Sequence, residues 1–120
     1  MLKVTVLVVE DETLVRMCEA QALVTIGFKV EQASNGKEAV SILKRITVSA
    51  VVTDLKMPEM DGFELIAWMR ENRSDIPVIV ATGDQKDETA NRLQNLGVST
   101  ILSKPIGLEQ IRSAIHNCLA

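Results

Sequence analysis

The amino-acid sequence predicts an α/β fold, a three-layer doubly wound sandwich with helices on both faces of a parallel sheet. Short apolar segments rich in β-branched residues alternate five times with longer segments of helical periodicity. Several of the short segments are apolar at successive positions, which is typical of strands covered on both faces. Right-handed crossovers between parallel strands then place the helices in two layers, one on each side of the sheet.

Five short segments are predicted as strands, four of them because they are rich in Val, Ile or Thr. They are Val4–Val9, Phe28–Ala33, Ala50–Thr53, Val78–Ala81 and Thr100–Leu102. The second segment has the sequence FKVEQA, in which apolar and polar residues alternate. We therefore expect it at an edge of the sheet.

Five further segments are predicted as helices, one after each strand. They are Thr13–Ile26, Lys37–Arg45, Gly62–Asn72, Gln85–Leu96 and Leu108–Cys118. The first stops at Gly27 and the fourth at Gly97, and glycine accepts the left-handed conformation that ends many helices. A cluster at 34–36 with the sequence SNG precedes the second helix, and Asp61 is placed to cap the third.

The last predicted helix carries Leu108, Ile111 and Ile115 on one apolar stripe. The chain has 120 residues and contains no linker, low-complexity segment or internal repeat. We therefore predict one domain that spans residues 1–120. Aromatic residues make up only 2% of the chain, so the core is expected to be aliphatic.

The charge balance argues against direct nucleic-acid binding. The chain has 13 basic and 16 acidic side chains and a net charge of −3, so it lacks the basic face that direct nucleic-acid binding requires.

We also expect no membrane association, because no apolar stretch approaches the about 20 residues that span a bilayer. The N-terminal sequence lacks the features of a signal peptide, which predicts a cytoplasmic protein. Cys18 and Cys118 are expected to be reduced thiols that are buried or half-buried.

Chemically active side chains follow four of the five predicted strands. They are Glu10, Asp11 and Glu12 after the first strand, Asp54 after the third, Thr82 after the fourth and Lys104 after the fifth. Because parallel strands end at the same edge of an open sheet, we expect these side chains to gather there.

Such a cluster needs a cation. Two carboxylates about 4 Å apart repel each other by about 4 kcal/mol at an effective dielectric constant of about 20. Oxygen ligands without a nearby His or Cys favour Mg²⁺, with Mn²⁺ or Ca²⁺ as substitutes. A metal ion beside a carboxylate and a lysine suits phosphoryl transfer.

Four motifs carry a resemblance to a known family. They are, in chain order, VLVVEDE, TDLKMPEMDGFEL, PVIVATGD and LSKP. In this order and spacing they resemble the receiver domain of two-component response regulators over the whole chain. The resemblance implies a flavodoxin-like α/β fold, with five helices and a five-stranded parallel sheet of order 2-1-3-4-5. It also implies a signalling phosphoprotein rather than an enzyme, although a receiver assists its own phosphoryl transfer and hydrolysis.

The resemblance implies a role for each residue of the acidic cluster. Asp54 resembles the phosphoryl acceptor of a Mg²⁺-dependent reaction. Asp11 resembles the acid that binds the metal directly, and Glu10 the acid that holds a metal-bound water. Lys56 occupies the position whose backbone carbonyl completes the metal site.

The other implied roles concern switching. Thr82 resembles the hydroxyl that moves toward the phosphoryl group, and Lys104 the lysine that pairs with a phosphoryl oxygen. The Lys104–Pro105 peptide is expected to be cis. Two positions depart from the family pattern: Ile101 replaces the usual Tyr or Phe, and Gly83 stands where Ala is common. We expect backbone shifts at Gly83 to replace the rotation of an aromatic ring.

The implied partners are a sensor histidine kinase or histidine phosphotransfer protein as donor and a downstream protein target. The target would meet a changed surface on the last two strand–helix units. A stand-alone receiver, a phosphorelay shuttle and a receiver excised from a longer protein all fit, and a homodimer is left open.

Two alternatives belong to other classes of protein. One is an interaction scaffold that keeps the fold without phosphorylation. The other is a metabolic enzyme, against which several features argue. Acids follow the first strand where a flavin binder has a phosphate-cradling loop, and no P-loop is present. Lys56 stands where a haloacid-type phosphatase has its second aspartate.

Overall fold

The computed structural model describes residues 4–73, 75–84, 86–98 and 100–119. Its strands are β1 (Thr5–Val9), β2 (Lys29–Ala33), β3 (Ala50–Thr53), β4 (Val78–Thr82) and β5 (Thr100–Ser103). Its helices are α1 (Thr13–Ile26), α2 (Gly36–Arg45), α3 (Gly62–Asn72), α4 (Asp87–Asn95) and α5 (Leu108–Leu119). The strands are parallel and lie in the order β2-β1-β3-β4-β5. The predicted fold class, strand order and edge position of β2 are confirmed.

Side chains from the two faces of the sheet enter two separate hydrophobic clusters. In β1, Leu7 and Val9 pack in the cluster that includes residues of α2, α3 and α4. Val6 and Val8 pack in the cluster that includes residues of α1 and α5. All four side chains are 0% exposed, which explains why the apolar run in this strand is uninterrupted. The three-layer arrangement is confirmed.

The bounds of the elements differ slightly from the predictions. β1 starts at Thr5 and β2 at Lys29, each one residue later than predicted. β4 continues to Thr82, β5 to Ser103 and α5 to Leu119, each one residue further than predicted. Pairing with a neighbouring strand decides where each strand starts and ends, and the sequence of a single strand does not contain that information.

Side-chain caps fix the starts of two helices. α2 begins at Gly36, one residue earlier than predicted, because Oδ1 of Asn35 accepts a hydrogen bond from the Glu38 N–H at 2.8 Å. α3 begins with a reciprocal capping box, in which Asp61 accepts from the Glu64 N–H at 2.9 Å and Glu64 accepts from the Asp61 N–H at 3.1 Å. The predicted cap at Asp61 is confirmed.

Helix α4 is shorter than predicted at both ends. The predicted first residue, Gln85, lies outside the described residues, and the helix runs from Asp87 to Asn95. Before it, Asp84 accepts hydrogen bonds from the Lys86 N–H at 2.9 Å and from the Thr89 hydroxyl at 2.8 Å. Asp84 therefore organises a turn that precedes the helix.

The core is aliphatic, as predicted: no aromatic side chain is among the buried residues of the described chain. Phe63 and Trp68 are half-buried at its margin.

The prediction for Cys18 was wrong, because this residue is exposed on α1, whereas Cys118 is half-buried. No helix in the described part of the chain is both long and apolar enough to cross a membrane.

Candidate functional site

The ends of β1, β3, β4 and β5 surround an open cavity of about 810 Å³. Each of these strand ends contributes one predicted site residue to its wall, namely Asp11, Asp54, Thr82 and Lys104, and Lys56 lines it as well. The sixth predicted residue, Glu10, is 0% exposed and is bound to Lys104. The structure thus brings together all six residues that the sequence singled out.

Lys104 links the two acids that lie deepest in this site. Its Nζ donates a hydrogen bond to Oδ2 of Asp54 at 2.8 Å and another to Oε1 of Glu10. Burial lowers the pKa of Lys104, but its bonds to the two carboxylates outweigh this effect and raise the pKa overall. The ammonium group therefore stays charged at neutral pH. The Lys104–Pro105 peptide is cis, as predicted.

The carboxylate oxygens of this cluster fit a hard divalent cation. One oxygen from each of Glu10, Asp11 and Asp54 lies within 4.8 Å of the other two. The other oxygen of Glu10, Oε2, is buried and makes no hydrogen bond to the described part of the chain. Burial raises the pKa of Glu10 to about 7, Lys104 opposes this rise and Asp54 adds to it. A cation bound here would relieve the repulsion and supply the missing partner of Glu10.

Backbone contacts hold Asp54 in place. Its N–H donates to the Val9 carbonyl at 3.0 Å, which extends the pairing of β3 with β1 beyond the last strand residue. Its Oδ1 accepts from the Leu55 N–H at 2.7 Å, so only Oδ2 faces Lys104. Gly62 lies against the same segment, and a Cβ atom there would stand 2.2 Å from the Asp54 carbonyl oxygen.

Replacing Gly62 with alanine is therefore expected to lower the free energy of unfolding by about 1–3 kcal/mol, because the backbone of Asp54 must move to admit the methyl group. Urea unfolding followed by the fluorescence of Trp68 measures this change. Gly83→Ala is the matched control, since nothing lies within 4 Å of a Cβ atom at that position. Equal losses in the two variants would show that the close approach to Asp54 does not matter.

The position of Thr82 differs from that of the other site residues. Its side chain is 4% exposed, and its hydroxyl oxygen accepts a hydrogen bond from the Asp84 N–H at 3.0 Å. A move of the hydroxyl toward Asp54 would lengthen or break this bond. Ile101, which stands where the family usually has Tyr or Phe, is 39% exposed on the edge strand β5. The space beside Gly83 is open. The expected backbone shift at Gly83 stays a prediction.

Several residues that the structure brings to this site or near it carry no role that the sequence predicts. Asp84 and Lys86 also line the cavity, and an aspartate three residues before a charged helix start is the signal that could have identified the turn. Glu19 is 92% buried on α1, since only 8% of it is exposed. No motif marks this residue. Because α1 carries apolar residues on several sides, its sequence does not reveal which face is buried.

Comparisons with known proteins support the resemblance. Residues 6–116 match the family described as response regulator receiver domain. The chain is 38% identical over 117 residues to the sensor kinase CckA of Brucella abortus, covering 96% of this chain and 12% of that protein. It is 34% identical over 118 residues to the response regulator MprA of Mycolicibacterium vanbaalenii, covering 97% of this chain and 50% of that protein. The chain thus spans half or less of the length of these curated relatives.

A solved structure has the same fold. The response regulator receiver protein from Pseudomonas putida is 28% identical to this chain, with a TM-score of 0.91 and 98% of each chain covered. Together with the family match over nearly the whole sequence, this identifies the fold and the family. The chain belongs to the response-regulator receiver-domain family of two-component signalling.

Proposed function

We propose that Asp54 accepts a phosphoryl group from a phosphohistidine of a sensor histidine kinase or histidine phosphotransfer protein, in a Mg²⁺-dependent reaction. The observation that carries this proposal is the Lys104 ammonium group bound between Glu10 and Asp54, at a site where three carboxylates lie within 4.8 Å of one another. This arrangement suits a reaction in which an anionic carboxylate attacks an anionic phosphoryl group, because both must be brought together against their repulsion.

In the proposed step, a carboxylate oxygen of Asp54 forms a bond to phosphorus while the bond from phosphorus to the donor histidine nitrogen breaks. The product is an acyl phosphate on Asp54, and the electron pair of the broken bond remains on the histidine nitrogen. Lys104 donates a hydrogen bond to one phosphoryl oxygen, and the Thr82 hydroxyl donates to another after leaving Asp84. Hydrolysis of the acyl phosphate by water resets Asp54, and the same residues assist it.

Asp11, Asp54, the water held by Glu10 and the backbone carbonyl of Lys56 would hold the Mg²⁺ ion, with Mn²⁺ as a substitute. When bound, the ion neutralises charge on the non-bridging phosphoryl oxygens. Glu10, Asp11 and Asp54 provide the oxygen ligands that such an ion prefers. The protein's own contribution is to hold these oxygens together and to keep the Lys104 ammonium against them.

A small phosphodonor tests the proposal directly. Incubation with acetyl phosphate and Mg²⁺ is expected to add the mass of one phosphoryl group to the intact chain, and the Asp54→Asn variant is expected to stay unlabelled. Omission of Mg²⁺ with EDTA present should abolish labelling in the unchanged protein. A chain that gains no mass, or an Asp54→Asn variant that labels equally, would contradict the proposed acceptor.

Magnesium is also expected to stabilise the folded chain without any phosphodonor, because it relieves the repulsion among the three acids. The gain is about 2.7 kcal/mol when the ion exceeds its Kd by about 100-fold, and thermal unfolding measures it as a rise in Tm. The Asp11→Asn variant should lose most of the rise. Asp87→Asn, which changes an exposed acid on α4, is the matched control and should keep it.

The wider function follows from this chemistry. We propose that residues 1–120 form a single receiver domain in the cytoplasm and that phosphorylation changes the surface formed by β4, α4, β5 and α5. A downstream protein would recognise that surface. A non-phosphorylated interaction scaffold is the second candidate, and Ile101 favours it, because an exposed isoleucine cannot perform the aromatic switch of the family. The acetyl phosphate experiment separates the two candidates.

A further inference from the structure

Helix α4 buries fewer residues than any other helix in the described part of the chain. Leu93 is its one buried residue, whereas α1 and α5 each bury three and α2 and α3 each bury four. The Arg92 guanidinium group adds a contact with α3, since its Cζ atom lies 3.9 Å from the centre of the Phe63 ring. A helix with so little buried area can shift at a small cost in free energy. The contacts of its first turn therefore matter for its position.

Asp84 supplies hydrogen bonds to this first turn. Its Oδ2 accepts from the Thr89 hydroxyl at 2.8 Å and its Oδ1 from the Lys86 N–H at 2.9 Å. Lys86 is the N-cap residue of α4, and its own side chain makes no capping hydrogen bond. The bond from the Lys86 N–H, and after it the bond from Thr89, lower the pKa of Asp84, so the carboxylate is charged at neutral pH. Asp84 thus ties the start of α4 to the end of β4.

The backbone of Asp84 contacts Thr82, the predicted switch residue. The Asp84 N–H donates to the Thr82 hydroxyl oxygen at 3.0 Å, and Thr82 is a buried residue that lines the acidic cavity. Hydrogen bonds therefore lead from Thr82 through Asp84 to Thr89 on α4. A move of the Thr82 hydroxyl toward Asp54 would lengthen or break the first of these bonds. The turn that carries Asp84 would then lose one of the contacts that fix it.

Two neighbouring positions favour this route over the aromatic switch of the family. Ile101 has no ring to rotate and no hydroxyl to bond, and it is already exposed on β5. Gly83 joins Thr82 to Asp84, and nothing lies within 4 Å of a Cβ atom there. The backbone thus has room to move between the two bonded residues.

We propose that Asp84 couples phosphorylation of Asp54 to the position of α4, through its bonds to Thr82 on one side and to Thr89 on the other. This coupling rests on the proposed phosphorylation of Asp54. Without a phosphoryl group, the bond from Asp84 to Thr82 holds the turn and, through Thr89, the start of α4. With Thr82 drawn to the phosphoryl group, that bond weakens and α4 gains freedom to shift. Asp84 is a positioning residue, since it acts through the two threonines.

The first test needs no phosphoryl group and measures the exchange of the Ala90 amide with solvent by NMR, in the presence of EDTA. The Ala90 N–H donates to the Lys86 carbonyl in the first turn of α4 at 3.2 Å. Thr82→Val removes the acceptor of the Asp84 N–H and is expected to speed this exchange at least about threefold, the effect of one lost hydrogen bond. In chains that also carry Thr89→Val, which removes the hydroxyl that binds Asp84, the same change should have an effect below about 1.5-fold.

Two further variants act as controls for this comparison. Asp84→Ala removes the carboxylate itself and should suppress the effect of Thr82→Val as Thr89→Val does. Thr25→Val also removes a hydroxyl from a helix, since the Thr25 hydroxyl donates to the Gln21 carbonyl within α1 at 2.8 Å. It should leave the effect of Thr82→Val at its full size. An effect of Thr82→Val that is equal with and without Thr89→Val would overturn the coupling.

The second test adds acetyl phosphate and Mg²⁺, and the intact mass gives the labelled fraction of each sample. At equal labelling, the backbone signals of Ala90 and Arg92 are expected to shift in the unchanged chain and to shift less than about half as far in Thr89→Val. Absence of shifts in the labelled unchanged chain, or full shifts in labelled Thr89→Val, would also overturn the coupling. A chain that gains no mass contradicts the acceptor role of Asp54, whereas the exchange of Ala90 still decides whether Asp84 links Thr82 to α4.

Discussion

Replacing Lys104 with methionine is expected to lower the rate constant of Asp54 phosphorylation by about 100-fold or more, which is the usual cost of removing one charged donor from a transition state that develops negative charge. The methionine keeps most of the length of the side chain and removes its ammonium group. In the unphosphorylated protein that group donates to Oδ2 of Asp54 at 2.8 Å. It is therefore already placed beside the oxygen that would face an incoming phosphoryl group.

A time course of intact mass with acetyl phosphate and Mg²⁺ measures the rate constant. Lys86→Met is the matched control, because Lys86 lines the same cavity but makes no ion pair with Asp54 in the described part of the chain. It should slow labelling by less than about threefold, as expected for a screened, exposed charge. Comparable rates in the two variants would mean that the ion pair with Asp54 has no part in phosphoryl transfer.

The contrast between these two lysines shows what the sequence could and could not provide. The uninterrupted apolar runs of β1, β3 and β4 predicted strands covered on both faces, and the sheet confirmed this. Once parallel strands are accepted, their carboxyl ends must meet, which is why the cluster around Asp54 could be assembled from residues far apart in sequence. Lys86 approaches the same cavity from a loop, and no strand end points to it.

Helix α1 shows the opposite case. Apolar residues occur around most of its circumference, so its periodicity does not reveal which face packs on the sheet. Leu14 and Met17 are 77% and 55% exposed, whereas Glu19 is 8% exposed, the reverse of what hydropathy alone indicates. Cys18 was predicted to be buried or half-buried from its residue type alone, and the structure exposes it. Only the packing of α1 against β1, β2 and α5 decides its orientation.

The burial of Glu19 has a direct consequence for stability. The Glu19→Gln variant is expected to be more stable than the unchanged chain above neutral pH, by up to about 3 kcal/mol. Burial raises the pKa of Glu19 in the folded chain from 4.5 to about 7, with a smaller opposing effect of Lys104 and a supporting one of Asp54. The unfolded chain thus releases the proton of this carboxyl more readily than the folded chain does.

The sign of the pH dependence follows from this difference. A pKa that folding raises makes the folded state relatively more stable at low pH, and this advantage is lost as the pH rises from 4.5 to about 7. Glutamine is neutral throughout, so the difference between variant and unchanged chain should be small near pH 4.5 and should reach its full size about one unit above the folded pKa. Urea unfolding at several pH values measures it, in the presence of EDTA so that no metal ion contributes.

Subtracting the free energies of unfolding of the two chains cancels the contributions of the other titrating groups to the pH dependence. One of these groups is Glu10, whose pKa is also raised. Glu88→Gln is the control, and its difference from the unchanged chain should stay within about 0.5 kcal/mol at every pH, as for most surface substitutions. A Glu19→Gln difference that is the same at low and high pH would show that the folded chain holds this carboxyl no differently from the unfolded one. In that case the carboxyl group would already have a partner or water in place in the folded chain.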